Sequence, residues 1–186
     1  MPIRVLQRTD IPMMAGAPSD VPLAIPRVEQ TQTNWCWAAC AEMVLHYFGK
    51  SALAQCDFAT FLVNDPSCCT APSSPMCDTR CEYDEVGLVY GHWGIQATLV
   101  RSAVTFDTLV QELKSQQPVE VGIIWAGGGG HLVLVVQATD SNGQALVVVR
   151  DPRPDYSFNV LQYGELLTAH GYGVWDATWT GIRVGG

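Results

Sequence analysis

The densest apolar stretch begins at Trp35. Residues 35–48 are rich in Ala, Met and Leu and stop at Gly49. This pattern predicts a helix with Asn34 as its cap and Gly49 as its C-terminal stop. Ser51 is placed to cap a second helix running to about residue 63. Residues 64–81 hold three prolines and four cysteines, which predicts an irregular loop stapled by its cysteines. Residues 82–94 carry no more than one helical turn, near Glu85. Residues 95–100 read as a short strand. Residues 107–116 read as an amphipathic helix, with Leu109, Val110 and Leu113 on one side and Pro118 closing it. Three β-rich runs follow, at 119–125, 131–138 and 144–150, the last two joined by the hairpin turn Asp140-Ser141-Asn142-Gly143. A short helix over 163–169 and a strand over 174–179 come last. Helices lead and strands follow, so the predicted class is α+β, an N-terminal helical layer on a C-terminal antiparallel sheet. Residues 1–28 differ from the rest. Pro2, Pro12, Pro18, Pro22 and Pro26 break any helical period and predict an extended arm. Residues 29–186 then form a single domain with a Cys-rich insertion at about 64–82.

Composition narrows the classes of function. The chain has 186 residues, 48% of them apolar and 15% charged, enough for one domain with a core. Its net charge of −8 repels phosphate backbones and no basic cluster offsets it, so nucleic acid is not an expected partner. The same acidic surface points to basic substrates. No apolar run approaches the roughly 20 residues of a membrane helix, and 132–136 is only strand-length, so no membrane insertion is expected. The first residues lack the charged start and apolar core of a secretory signal.

Cys36 falls in the first turn of the predicted 35–48 helix. The partial positive charge and unpaired N–H groups of a helix N-terminus stabilise a thiolate and can bind an oxyanion. Setting Cys36 aside leaves Cys40, Cys56, Cys68, Cys69, Cys77 and Cys81, the parity for three disulfides. Cys68, Cys69, Cys77 and Cys81 offer the alternative of a zinc site. Four histidines are available as a base. His46 lies ten residues along the same helix, roughly 15 Å from Cys36, out of reach. His92 and His170 are secondary candidates. His131 follows Gly127 to Gly130 and opens an apolar strand. Folding the hairpin about residues 141–142 sets His131 opposite residues 151–153, and neighbouring strands lie about 4.8 Å apart, so Asp151 can orient the imidazole.

The segment Gln30-Thr-Gln-Thr-Asn-Trp-Cys36-Trp-Ala-Ala resembles the active-site segment of papain-like (clan CA) cysteine peptidases, nearest to small bacterial members of the staphopain and effector-protease type. The order of Cys, His and then Asp on a hairpin is similar too. The resemblance spans about residues 25–155, and the Cys-rich insertion stands outside it. It implies a papain-like fold and amide hydrolysis through a covalent acyl-enzyme. It also implies Gln30, six residues before Cys36, as an oxyanion-hole donor, with Gln32 the less well spaced competitor. No cofactor is called for. Trp37, Trp93, Gly129 and Gly130 are expected to bind substrate, a protein or peptide; Trp35 falls near the same segments, while Trp125 and Trp179 are expected in the core. A deamidase, a transglutaminase-like enzyme or a peptidoglycan amidase could run on the same three residues, and a Cys-rich metal-binding or inactive binding module is the non-enzymatic alternative. Abundant cysteine without a visible signal peptide predicts a product exported by a dedicated route, such as a bacterial toxin or effector with an immunity protein or inhibitor as partner. A cytoplasmic product is the other expectation.

Overall fold

Residues 21–155 and 160–186 are described by a computed structural model. Three helices come first: α1 (Cys36–Tyr47), α2 (Gln55–Val63) and α3 (Tyr83–His92). Strand β1 (Ile95–Val100), helix α4 (Phe106–Lys114) and strands β2 (Val119–Trp125), β3 (Gly130–Ser141) and β4 (Gln144–Arg150) follow. The chain ends with β5 (Val160–Gln162), α5 (Tyr163–Leu167) and β6 (Gly173–Val184). The strands form one six-stranded sheet in the order β1-β6-β2-β3-β4-β5, with every neighbouring pair antiparallel. The class is α+β, as the order of elements predicted.

Residues 132–136 of β3 are all buried, so both faces of the sheet are covered there. Helices α1 and α4 pack on β3, and α3 packs on β1. From α1 the core takes Trp37, Ala38, Cys40, Ala41, Val44 and Leu45. The β3–β4 hairpin closes tightly: Ser141 pairs with Gln144, and Asn142 (φ +56°) and Gly143 (φ +80°) form the turn. The Gly143 N–H also donates to Asp140 Oδ1 at 2.8 Å.

Several expectations are corrected. Asn34 does not cap α1; its side chain donates to the Asp78 carbonyl instead, and α1 has no side-chain cap. Helix α2 starts at Gln55 rather than after Ser51, and its Ala54 N–H is satisfied by Asp57. Helix α3 is a full ten residues where one turn was predicted. Gly87 and Gly91 lower its intrinsic propensity, but Val86, Val89 and Tyr90 bury a continuous stripe that outweighs them. Strand β5 is too short to show a period in sequence.

The cysteine-rich loop carries two disulfides, Cys56–Cys69 and Cys68–Cys77, rather than three; Cys40 and Cys81 are free thiols. The pairing also removes the zinc alternative, because Cys68, Cys69 and Cys77 of that set are oxidised. Residues 1–20 of the predicted Pro-rich arm lie outside the described residues. Residues 21–30 run against the hairpin, with the Leu23 N–H bonded to the Val136 carbonyl and the Gln30 N–H to the Pro152 carbonyl.

Candidate active site

Cys36 is the first residue of α1, where the backbone N–H has no intrahelical acceptor. No acidic residue sits in that first turn to oppose a thiolate. His131 is the second residue of β3, and Asp151 follows the last residue of β4 directly. The register pairs Leu134 with Arg150, which brings the hairpin's open end to Asp151 and His131. His131 Nε2 and Asp151 Oδ1 are 2.7 Å apart, and both residues are buried, at 5% and 6% exposure. With Nε2 committed to Asp151, Nδ1 is the ring nitrogen left for Cys36.

Burial alone pushes the His131 pKa down. The hydrogen bonds to Asp151 and Cys36, with the charges of both, outweigh it and hold the imidazole above its ordinary value. Burial likewise pushes the Asp151 carboxyl up, but the hydrogen bond and charge of His131 and the Arg153 N–H bring it below its ordinary value. These opposite directions are those of an imidazolium–carboxylate pair. Arg153 donates its backbone N–H to Asp151 Oδ1 at 2.9 Å and its guanidinium to Oδ2 at 3.3 Å. The loop is held from outside by Arg27, whose guanidinium donates to the carbonyls of Asp151 and Arg153 and to Glu29.

A cleft of about 610 Å³ opens over Cys36 and His131. Gly128, Gly129 and Gly130 form one rim, with Gly128 and Gly129 at φ +89° and +84°, where side chains are strained. Trp37 lines the cleft but is itself buried, its indole N–H donated to the Thr79 carbonyl. Gln30 also lines it, and there the geometry departs from expectation: Nε2 donates to the carbonyls of Gln32 and Thr33 at 2.9 and 2.8 Å. Serving an oxyanion therefore requires exchanging one of these bonds.

Trp93 does not reach the cleft. It caps α3 and packs edge-on against Phe58 and Phe61. Trp35 is core, with its indole N–H on the Cys77 carbonyl. Trp179 is core as expected, but Trp125 is not: it lines the cleft, stacks on His131 at 6.0 Å and carries the Arg153 guanidinium 5.0 Å above its ring. Trp125 stands two residues before the glycine run and Arg153 two residues after Asp151, so nearness to the predicted base and orienter was the available signal. Arg80, Glu82 and Arg153 line the cleft, the Arg153 guanidinium being also paired with Asp151. His46 is tied to the Leu53 carbonyl at 2.7 Å and His92 stacks on Phe61, both away from Cys36. His170 is in a left-handed conformation behind the hairpin.

Beneath the site lies Glu120 of β2, fully buried. Tyr90 O–H donates to it at 2.7 Å, and the free thiol of Cys40 adjoins it. Burial raises the Glu120 carboxyl to about 8, against lowering by Tyr90 and Cys40, so it is protonated at neutral pH.

A model of the papain-like cysteine protease AvrRpt2 family matches residues 17–165. No curated protein sequence matches the chain. Among solved structures, the peptidase domain of Streptococcus ComA, a bi-functional ABC transporter of a quorum-sensing pathway, is similar at 14% identity and a TM-score of 0.57, covering 83% of this chain and 96% of that one. A double-glycine-motif protease from an AMS/PCAT transporter, in complex with its leader peptide, gives 15% identity and a TM-score of 0.49, with 88% and 94% covered.

Proposed function

The chain belongs to the papain-like cysteine protease family of AvrRpt2, and on that premise we propose that it cleaves peptide bonds through Cys36, His131 and Asp151. The Cys36 thiolate, paired with protonated His131, attacks the substrate carbonyl carbon. The oxyanion is met by the Cys36 N–H and by the Gln30 amide once it leaves one of its backbone partners. His131 passes its proton to the leaving amine, and the C–N bond breaks to leave a thioester. His131 then takes a proton from water, the hydroxide adds to the thioester, and the acid product leaves as the thiolate is restored. Asp151 holds the ring and its charge throughout.

The observation that carries this reading is the buried 2.7 Å His131–Asp151 bond beside a cysteine at a helix N-terminus. Gly129, Gly130 and Trp125 are the proposed substrate contacts. The two disulfides support an exported product acting in an oxidising compartment, as a toxin or effector would, with an immunity protein or inhibitor as its partner. The test is iodoacetamide labelling with mass-spectrometric mapping, alongside hydrolysis of a fluorogenic peptide. Fast labelling at Cys36 that collapses in His131→Ala, together with peptide cleavage, is the expected result. An unreactive Cys36, or cleavage that survives Cys36→Ala, overturns the proposal.

A further inference from the structure

The Cys-rich insertion takes no part in the chemistry above, yet it holds the turn that presents Cys36. Three consecutive residues of its last stretch meet three residues flanking the nucleophile. The Cys77 carbonyl accepts from Trp35 Nε1 at 2.7 Å, the Asp78 carbonyl from Asn34 Nδ2 at 2.9 Å, and the Thr79 carbonyl from Trp37 Nε1 at 3.1 Å. The Asp78 carboxylate completes the set by accepting the Asn34 backbone N–H at 2.8 Å. All these bonds join residues 42 or 44 positions apart, and they bracket Cys36 on both sides.

Helix α1 has no side-chain cap of its own, so its start is set from outside. The far end of the clamp is anchored too. Cys77 is disulfide-bonded to Cys68, with both side chains buried, and the adjacent Cys69 is bonded to Cys56 of α2. A backbone segment fixed at one end by a disulfide and along its length by four hydrogen bonds is a rigid support. A floppy insertion would not line up three carbonyls with two buried indoles and an amide.

We propose that residues 77–79, fastened by Cys68–Cys77, are a positioning element for the nucleophile, and that Asp78 is its principal positioning residue. This rests on the reading of Cys36 as nucleophile. Asp78 acts by accepting the Asn34 N–H, which fixes the turn whose next residues set the direction of the Cys36 side chain and N–H toward His131. Activity of this enzyme then requires an oxidised staple together with a reduced nucleophile, a combination suited to an oxidising compartment.

The experiment compares Asp78→Ala, Asp78→Asn and the double variant Cys68→Ser/Cys77→Ser in the full chain. The readouts are the iodoacetamide rate at Cys36, kcat and KM on a peptide, and Tm. Displacement of a reacting group by a fraction of an ångström to an ångström costs about ten- to a hundred-fold in rate. Asp78→Ala is expected to slow both labelling and kcat by about ten-fold with KM nearly unchanged. Asp78→Asn keeps a side-chain oxygen that can accept the N–H, and is expected to recover to within about three-fold of wild type. The double variant, with Cys36 intact, is expected to slow labelling in the same way. Asp78→Ala with wild-type labelling and kcat overturns the inference, as does a loss that Asp78→Asn shares in full. If Asp78→Ala does not fold, the double variant decides: unchanged labelling there overturns it. Failure of the nucleophile reading is separate, and shows in the wild-type protein as labelling insensitive to His131→Ala.

Discussion

The two halves of the candidate site are built differently. The base and its orienter sit on one hairpin, 20 residues apart, joined by a tight turn and an antiparallel ladder with one bulge. The proposed nucleophile sits on a helix start with no cap of its own, held by bonds to a loop 42 to 44 residues away. The hairpin half is built mainly from neighbours in sequence: the Asn142-Gly143 turn starts its ladder, a bulge between Val135 and Gln137 shifts the register by one residue, and Arg27 braces the loop after β4. The nucleophile half depends on a disulfide-fastened support from elsewhere in the chain. The lesson is that a reactive pair can combine a locally encoded member with one whose aim is imposed at long range.

The largest test of the comparison falls on the hairpin half. Asp151→Ala is expected to lower kcat/KM by about 10²- to 10⁴-fold, because it removes both the ring's anchor and its charge partner. Asp151→Asn keeps an acceptor and loses only the charge. Since Asp151 helps raise the His131 pKa, the alkaline limb of the pH–rate profile, where imidazolium is lost, is expected to move to lower pH in this variant. An unmoved limb would mean that the Asp151 charge does not set the His131 titration.

Next comes the nucleophile half. Gln30→Ala is expected to reduce kcat/KM by about 10- to 10³-fold while leaving the iodoacetamide rate at Cys36 unchanged, since alkylation forms no oxyanion. Equal losses in both assays would show that Gln30 braces the turn through Gln32 and Thr33 rather than serving the carbonyl.

A smaller effect sharpens the comparison from beneath both halves. Burial raises the Glu120 carboxyl to about 8 in the folded protein, from an ordinary value near 4.5. The folded state therefore holds a proton that the unfolded state has released between those values. Stability contributed by this group is present below the unfolded pKa and is lost as pH rises toward about 8. The cost is up to about 1.4 kcal/mol per pH unit in that window. Denaturant midpoints are expected to fall from pH 5.5 to 8 in the wild type and to flatten in Glu120→Gln, after allowing for the paired contributions of the site. The raised His131 pKa acts in the same direction, its stabilisation being lost as pH rises through the folded value. That of Asp151 is lost only as pH falls through its lowered value. An unchanged slope in Glu120→Gln would refute the buried protonated carboxyl.

The smallest effect lies outside both halves. Gly87 sits inside α3 with open space where a Cβ would go. Gly87→Ala is expected to raise stability by about 0.5–1 kcal/mol, read as a higher Tm, with kcat untouched.

Much of this molecule was legible because its signals are local. Strands 119–125 and 144–150 and the Asn-Gly turn follow from period and turn chemistry alone, and they bring Asp151 near His131 to within the one-residue shift that the bulge between Val135 and Gln137 adds. Cys36 was marked by its place at a helix start and, with Gln30, by the resemblance of residues 30–39 to a papain-like active-site segment. Helix α3 was not legible, because two glycines mask a burial stripe that only the sheet rewards. Trp125 was misplaced in the core for a similar reason: hydropathy cannot tell a ring that fills the interior from one that stacks on an imidazole at a cleft wall.

The sequence by itself therefore determined the class, the sheet's central strands, the candidate reactive residues and their pairing across the hairpin, since periodicity, turns and short-range register need no distant partner. Only the tertiary structure decided which cysteines are joined, that Asn34 serves Asp78 rather than its helix, that a glutamate is buried beneath the site, and that two arginines line an acidic protein's cleft. The disulfides choose among four cysteines within one short region, and the others are contacts between distant parts of the chain; in each case the choice of partner is set by packing the whole core at once and no local pattern records it.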